Sequence, residues 1–213
     1  MSGGLRGSVG SVVWLVGGPS VGKSSIAQAM QDAGGAAESF VLAGDQHLQR
    51  VLPTDALVRY VADPVDDGWP GWTIPFAGGV VTGRPQAGPT ARRILDGMYR
   101  AAAAMAAAGN NVVIEDVVWE QAVATAGWDA LGGVDLTVVR VSCAVPITLR
   151  REHLRRDRFD GAVAAFHAAR RPWLRQVDIE IDTSASDPRQ CAGVILRQWR
   201  DRRPATLVDA TAN

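Results

Sequence analysis

GGPSVGKSS, Gly17 to Ser25, carries the only lysine among the chain's 22 basic residues. A protein that writes every other positive charge as arginine keeps an ammonium here alone. The spacing Gly17-x-x-x-x-Gly22-Lys23-Ser24 is that of a P-loop. In that motif a glycine-rich turn between a strand and a helix aims successive backbone N–H groups at phosphate oxygens. The flanking sequence agrees. Ser11 to Val16 (SVVWLV) is a β-branched apolar run ending at Gly17-Gly18, which predicts a buried strand. Apolar residues then recur at Ile26, Ala27, Ala29 and Met30, as on one side of a helix from Ser24 to Asp32. Gly17, Gly18, Pro19, Ser20, Val21, Gly22, Lys23, Ser24 and Ser25 are therefore the expected phosphate cradle, reinforced by the positive end of the helix. Lys23 reaches β- and γ-phosphates as a compact charge, and Ser24 offers its hydroxyl to Mg²⁺. The broad planar fork of arginine is poorly matched to so narrow a loop, which gives the lone lysine a reason.

Outward from this loop the chain alternates strand and helix patterns. Phe40 to Ala43 predicts a second strand, followed by a helical pattern through Leu48, Val51 and Leu52. Pro89 to Ala108 predicts a long alanine-rich helix, Val112 to Ile114 a strand and Trp119 to Ala130 a helix. Leu136 to Val141, Pro146 to Arg156, Val177 to Ile181 and Pro188 to Arg203 continue the alternation. Apolar strands of this kind, repeatedly separated by helices, predict an α/β fold with a parallel sheet covered on both faces. The length suits one domain, with residues 1–10 and the tail from 204 as loose ends. Residues 63–89 are rich in proline and glycine and carry Trp69, Trp72 and Phe76; long segments of this type are usually functional when ordered.

Composition narrows the partners. Acidic and basic residues balance at a formal net charge of zero, so a whole-molecule field for nucleic acid or an anionic membrane is absent. The run Ala101 to Ala108 is far short of the ~20 residues a membrane span needs. Cys143 and Cys191 are separated by 48 positions without metal-type spacing, which favours reduced core thiols and a cytoplasmic setting.

Several side chains could complete a site around the loop. Asp45, just beyond the second strand, can take a proton from an acceptor hydroxyl, or cap the helix that follows. His47 could contact a substrate, or lie on the helix surface. Glu115 and Asp116 end the Val112–Ile114 strand as a metal-associated acidic pair. Side chains alternate along a strand, so one of the two is expected to address Mg²⁺, and the sequence leaves open which. Arg150, Arg151, Arg155, Arg156 and Arg158 form the densest charge run. It reads either as a solvated helix or as a lid over residues 150–170 that supplies an arginine to the transferring phosphoryl group, with Arg155 and Arg158 the candidates. Thr183 and Ser184, after the last strand, could border the nucleotide base or serve as caps. Trp69, Trp72, Phe76 and Trp119 are candidates for acceptor contact, with core packing as their alternative.

Assembled in this way, the chain resembles the chloramphenicol phosphotransferase-like family of P-loop kinases from about Val12 to Ile195. The resemblance is carried by GGPSVGKSS, LAGDQHL, RREHLRRDRFDG and VDIEIDTS, and most specifically by the segment from Gly78 to Val117 that ends in IEDV. It implies a five-stranded parallel sheet flanked by helices, close to that of shikimate and adenylate kinases, with a helical lid. The activity it implies is transfer of the ATP γ-phosphate to a hydroxyl of a small molecule such as an antibiotic. Under it Lys23 and Ser24 hold phosphates and Mg²⁺, Asp45 is the base and Arg158 a lid arginine. The chain departs from the family's usual Asp-Asp pair at Glu115-Asp116, and its aromatic segment around Trp69, Trp72 and Phe76 is longer. A metabolite or nucleotide kinase on the same fold is a second reading. A nucleotide-driven switch is a third, weakened because a guanine-reading N-K-x-D motif would need another lysine.

Overall fold

The protein was analysed as a computed structural model that describes residues 9–34, 40–44, 53–155, 159–168 and 176–202. Its main sheet is built from β1 (Ser11–Gly17), β2 (Phe40–Gly44), β7 (Asn111–Asp116), β8 (Asp135–Ser142) and β9 (Ile179–Asp182). These run in the order β2-β7-β1-β8-β9, and all four pairings are parallel. The expected five-stranded sheet is therefore present. Parallel pairing puts the C-terminal ends of β1, β2 and β7 along one edge, with Gly44 opposite Glu115 and Val16 opposite Asp116. Ligands in open parallel sheets bind at this edge, where the strand order reverses beside β1.

Two apolar layers cover the sheet, and the sequence of β1 shows why. Val12, Trp14 and Val16 point to one face and Val13 and Leu15 to the other, and all are buried. The first face packs against α3 (Pro89–Ala107) and α4 (Gln121–Leu131), whose buried stripe includes Leu95, Met98, Tyr99, Ala102 and Ala106. Trp14 meets Tyr99 and Trp128 edge-on, at 5.4 and 5.3 Å between ring centroids. The second face packs against α1 (Lys23–Ala33) and α7 (Pro188–Arg202), with Ile26, Met30, Ile195 and Trp199 at its centre. Asp187 and Gln190 cap α7 reciprocally, each side chain accepting the other's backbone N–H at 2.9 and 3.0 Å.

The segment expected as a long loop folds instead into a small sheet. After the short α2 (Thr54–Leu57), β3 (Val58–Val61) pairs in parallel with β4 (Trp72–Ala77), which pairs antiparallel with β5 (Val80–Val81) and β6 (Gln86–Ala87). Two of these strands are only two residues long, too short for alternation to reveal them. Arg59 pins the intervening loop. Its guanidinium donates two 2.6 Å bonds to Asp67 and one of 2.9 Å to Thr73, and it lies 5.0 Å from the ring of Trp69.

Beyond α5 (Val145–His153), the chain is clamped onto this small sheet just before α6 (Ala162–Ala168). The Val81 N–H donates to Asp160 O at 2.8 Å, and the buried Glu152 carboxylate accepts from the N–H groups of Gly161 and Val163. Gly161 has φ of 106°, and a Cβ there would fall 2.2 Å from Val81 O. Gly161→Ala should therefore cost at least about 1–3 kcal/mol from backbone strain. Thermal unfolding checks this, and an unchanged Tm would contradict the clamp. The helical pattern expected through Leu48, Val51 and Leu52, the N-terminal eight residues and the tail from 203 lie outside the described residues.

Candidate active site

At the head of α1 the loop closes around its lysine. Gly22 has φ of 97°, and Ser20, though not a glycine, is also left-handed at φ 59°; together they curl the backbone. Lys23 is 7% exposed, and its Nζ donates to Gly17 O at 3.0 Å and Gly18 O at 2.7 Å. The ammonium is thus held over the loop. A cavity of about 460 Å³ opens here, lined by Pro19, Ser20, Gly22, Lys23, Ser24, Ser25 and Ile26 together with Glu115, Asp116 and Val117. The cradle residues read from the motif come together, with Gly17 and Gly18 supplying carbonyls to Lys23 and Val21 a carbonyl to Thr183.

The acidic pair divides between the two faces of the sheet. Glu115 takes the hydroxyl of Ser24, 2.6 Å from Oγ to Oε2, on the α1 side. Asp116 Oδ2 accepts the hydroxyl of Tyr99 on the α3 side. Both carboxylates are buried. The hard oxygens of Ser24 and Glu115, beside the phosphate cradle, suit Mg²⁺, which takes one or two protein oxygens plus phosphate and water.

From the opposite wall come Arg151, Arg155, Thr183, Ser186 and Pro188. Thr183 is a junction: its hydroxyl donates to Val21 O at 2.8 Å and accepts from Arg151 at 3.0 Å. A further 3.1 Å bond from Arg151 to Thr183 O fixes the guanidinium. Ser184 does not line the cavity; it bonds to Asp182 and receives the N–H of Ala144. Arg151, Ser186 and Pro188 were not singled out from sequence. Arg151 sits one turn before Arg155, so helical spacing within the arginine run was the available signal. Cys191 is buried, whereas Cys143 is half-buried and accepts a weak bond from Arg151.

A second cavity of about 300 Å³ lies on the α3 side and shares Pro19, Ser20, Asp116, Val117 and Arg155 with the first. Trp72 and Trp119 line it, alongside Leu57, Val58, Tyr60, Ile74, Val81, Pro85, Leu95 and Phe159. Trp69 and Phe76 are not among its lining residues. Trp69 packs on Arg59, and Phe76 joins Tyr60 and Phe159 in a three-ring cluster with centroids 4.6–5.3 Å apart. Asp45, His47 and Arg158 lie outside the described residues.

Next to the clamp, His153 Nδ1 lies 3.0 Å from Asp160 Oδ2, and this hydrogen bond and the carboxylate's charge raise the imidazole pKa. A raised folded-state pKa stabilises the fold fully below the unfolded value of about 6.5, and that contribution is lost as pH rises through the higher folded value. The Tm advantage of the wild type over His153→Gln should therefore shrink as the solution is taken from mildly acidic to mildly alkaline. A pH-independent difference would contradict the ion pair.

A phosphate loop on a parallel sheet, a neighbouring hydroxyl–carboxylate pair and an adjoining apolar cavity define a P-loop kinase. Residues 10–200 match the family described as "Chloramphenicol phosphotransferase-like protein". The chain belongs to that family, and it is a phosphotransferase of the kinase class. It is 29% identical over 187 residues to "Putative O-phosphotransferase Rv2636" of Mycobacterium tuberculosis, covering 86% of this chain and 79% of that one. Among solved structures, shikimate kinase from Acinetobacter baumannii in complex with shikimate is similar at a TM-score of 0.58 and 15% identity. That similarity covers 91% of this chain and 95% of the other. A sugar kinase from Janibacter is similar at a TM-score of 0.57 and 17% identity, covering 92% and 97%. At these identities the two structures attest the fold alone. Among the described residues no helix is long and apolar enough to cross a membrane.

Proposed function

We propose that the protein phosphorylates a hydroxyl of a small, largely apolar antibiotic, with ATP and Mg²⁺, in the cytoplasm. The observation that carries this reading is the meeting of the two cavities at Ser20, Asp116 and Arg155. The polyphosphate lies along the P-loop, Lys23 against its terminal phosphates and the base toward Arg151 and Pro188. Mg²⁺, held near Ser24 and Glu115, would neutralise charge on the β- and γ-phosphates. The acceptor lies among Trp72, Trp119 and their apolar neighbours, its hydroxyl directed at the junction. There the bond from its oxygen to the γ-phosphorus forms as the bond to the departing ADP breaks. The hydroxyl proton passes to Asp45, and Arg155 and Arg158 supply positive charge to the transferring group.

The lining of the acceptor cavity favours this reading over an anionic metabolite. Its one basic residue among those described, Arg155, is shared with the phosphate site, while Asp116 and Glu152 are both carboxylates. An anionic acceptor would meet net negative charge there. A volume of about 300 Å³ also sits at the small end for ligand sites. The test is ADP release with a panel of hydroxylated antibiotics, chloramphenicol included, against anionic and sugar metabolites. Stimulation by a neutral antibiotic is expected; stimulation confined to an anionic metabolite would replace the antibiotic with that class.

A further inference from the structure

Tyr99 sits in the buried stripe of α3, and it is completely buried. Its ring packs edge-on against Trp14, and its hydroxyl donates to Asp116 Oδ2. A buried phenol needs a partner, but a backbone carbonyl would serve. Here the partner is the carboxylate that belongs to both cavities.

The alternation of β7 explains what that contact does. Val112 and Ile114 pack into the layer under α3, whereas Val113 packs into the layer under α1. Asp116 continues the first row and Glu115 the second. Glu115 accordingly serves the phosphate side through Ser24, and Asp116 faces the acceptor side. Burial, then the neighbouring negative charge, push the Tyr99 pKa well above its ordinary value. The phenol therefore stays protonated and remains the donor.

We propose that Tyr99 is a positioning residue for phosphoryl transfer. Its hydroxyl holds the Asp116 carboxylate at the junction in the orientation that accepts a hydrogen bond from a second donor of the attacking molecule, another of its O–H or N–H groups. The inference rests on the kinase reading of the site and assigns Asp116 a task separate from that of Asp45. Asp116 orients the attacking molecule through that second donor, and Asp45 receives the proton of the attacking hydroxyl. Misplacing an attacking group by even an ångström lowers rate without touching nucleotide affinity.

The test is steady-state ATP turnover, with water as the attacking group and in parallel with chloramphenicol as the hydroxyl acceptor. Tyr99→Phe retains the ring and removes only the hydroxyl. It should lower kcat roughly 10–100-fold, the range for losing a partner that orients an active group, while KM for ATP is unchanged. In an Asp116→Asn background the same change should have no further effect on kcat, because the two residues act as one unit. An unchanged kcat in Tyr99→Phe overturns the proposal, as does an equal further loss in the Asp116→Asn background. A loss expressed in KM for ATP alone also overturns it. Hydrolysis that follows the expected pattern while chloramphenicol receives no phosphate counts against that acceptor and supports the role of Tyr99.

Discussion

Lys23→Arg should lower phosphoryl transfer about 10²–10³-fold, or roughly 2.7–4 kcal/mol of transition-state stabilisation, the scale for losing one preorganised donor at a developing charge. The substitution keeps the positive charge, so the loss reports on shape. The Lys23 ammonium is buried and lies within 3.0 Å of two loop carbonyls, Gly17 O and Gly18 O. A guanidinium is planar and wider, and it must either displace those carbonyls or leave the loop. In the first case the N–H cradle is distorted; in the second the terminal phosphates lose their cation. The check is kcat/KM for ATP beside the Tm of the variant. A variant that folds normally and turns over ATP at the wild-type rate would contradict the account of the single lysine.

Asp45→Ala should lower transfer by about 10²–10⁴-fold, the usual contribution of a positioned general base, while ATP affinity stays near its wild-type value. β2 ends at Gly44, which pairs with Glu115, and Asp45 is the next residue along the chain. ATP binding by equilibrium titration, beside single-turnover transfer, separates the two effects. Full transfer by the variant would remove Asp45 from the base role. Loss of ATP binding with normal folding would instead move it to the nucleotide side.

The main sheet was legible because its physics is local. Val12 to Val16 and Val112 to Ile114 are continuous apolar runs, as strands buried on both faces tend to be, and the P-loop announces the turn that joins β1 to α1. Only the ends differed, by one to three residues, where helices and strands fray. The small sheet was not legible. Its pairing is long-range, its shortest strands have no period to display, and proline and glycine suggested a loop. The same limit applies to the acceptor wall. Leu57, Leu95 and Pro85 meet only after the small sheet folds over α3. Trp72 and Trp119 line that wall, whereas Trp69 and Phe76 are turned elsewhere, toward Arg59 and into the three-ring cluster.

Charged residues show the difficulty most clearly. Glu152 reads in sequence as one more member of a solvated helix, yet it is buried and binds two backbone N–H groups beside α6. Glu115 and Asp116 were recognised as a pair, and strand alternation correctly required that they face different ways. Assigning Glu115 to Ser24 needed the position of α1, and assigning Asp116 to Tyr99 needed that of α3. Tyr99 itself stood on the apolar stripe of its helix, and nothing in that spacing distinguishes a phenol that packs from one that also donates to a carboxylate.

The central claim is that the γ-phosphoryl group of ATP crosses from the P-loop cavity to a hydroxyl in the adjoining apolar cavity. Mass spectrometry of a hydroxylated antibiotic incubated with ATP, Mg²⁺ and the protein tests it most directly. The antibiotic is expected to gain a single phosphoryl group, in step with ADP released, and Lys23→Arg and Asp45→Ala each to suppress the gain. ADP released in full while every hydroxyl compound offered keeps its original mass would contradict it.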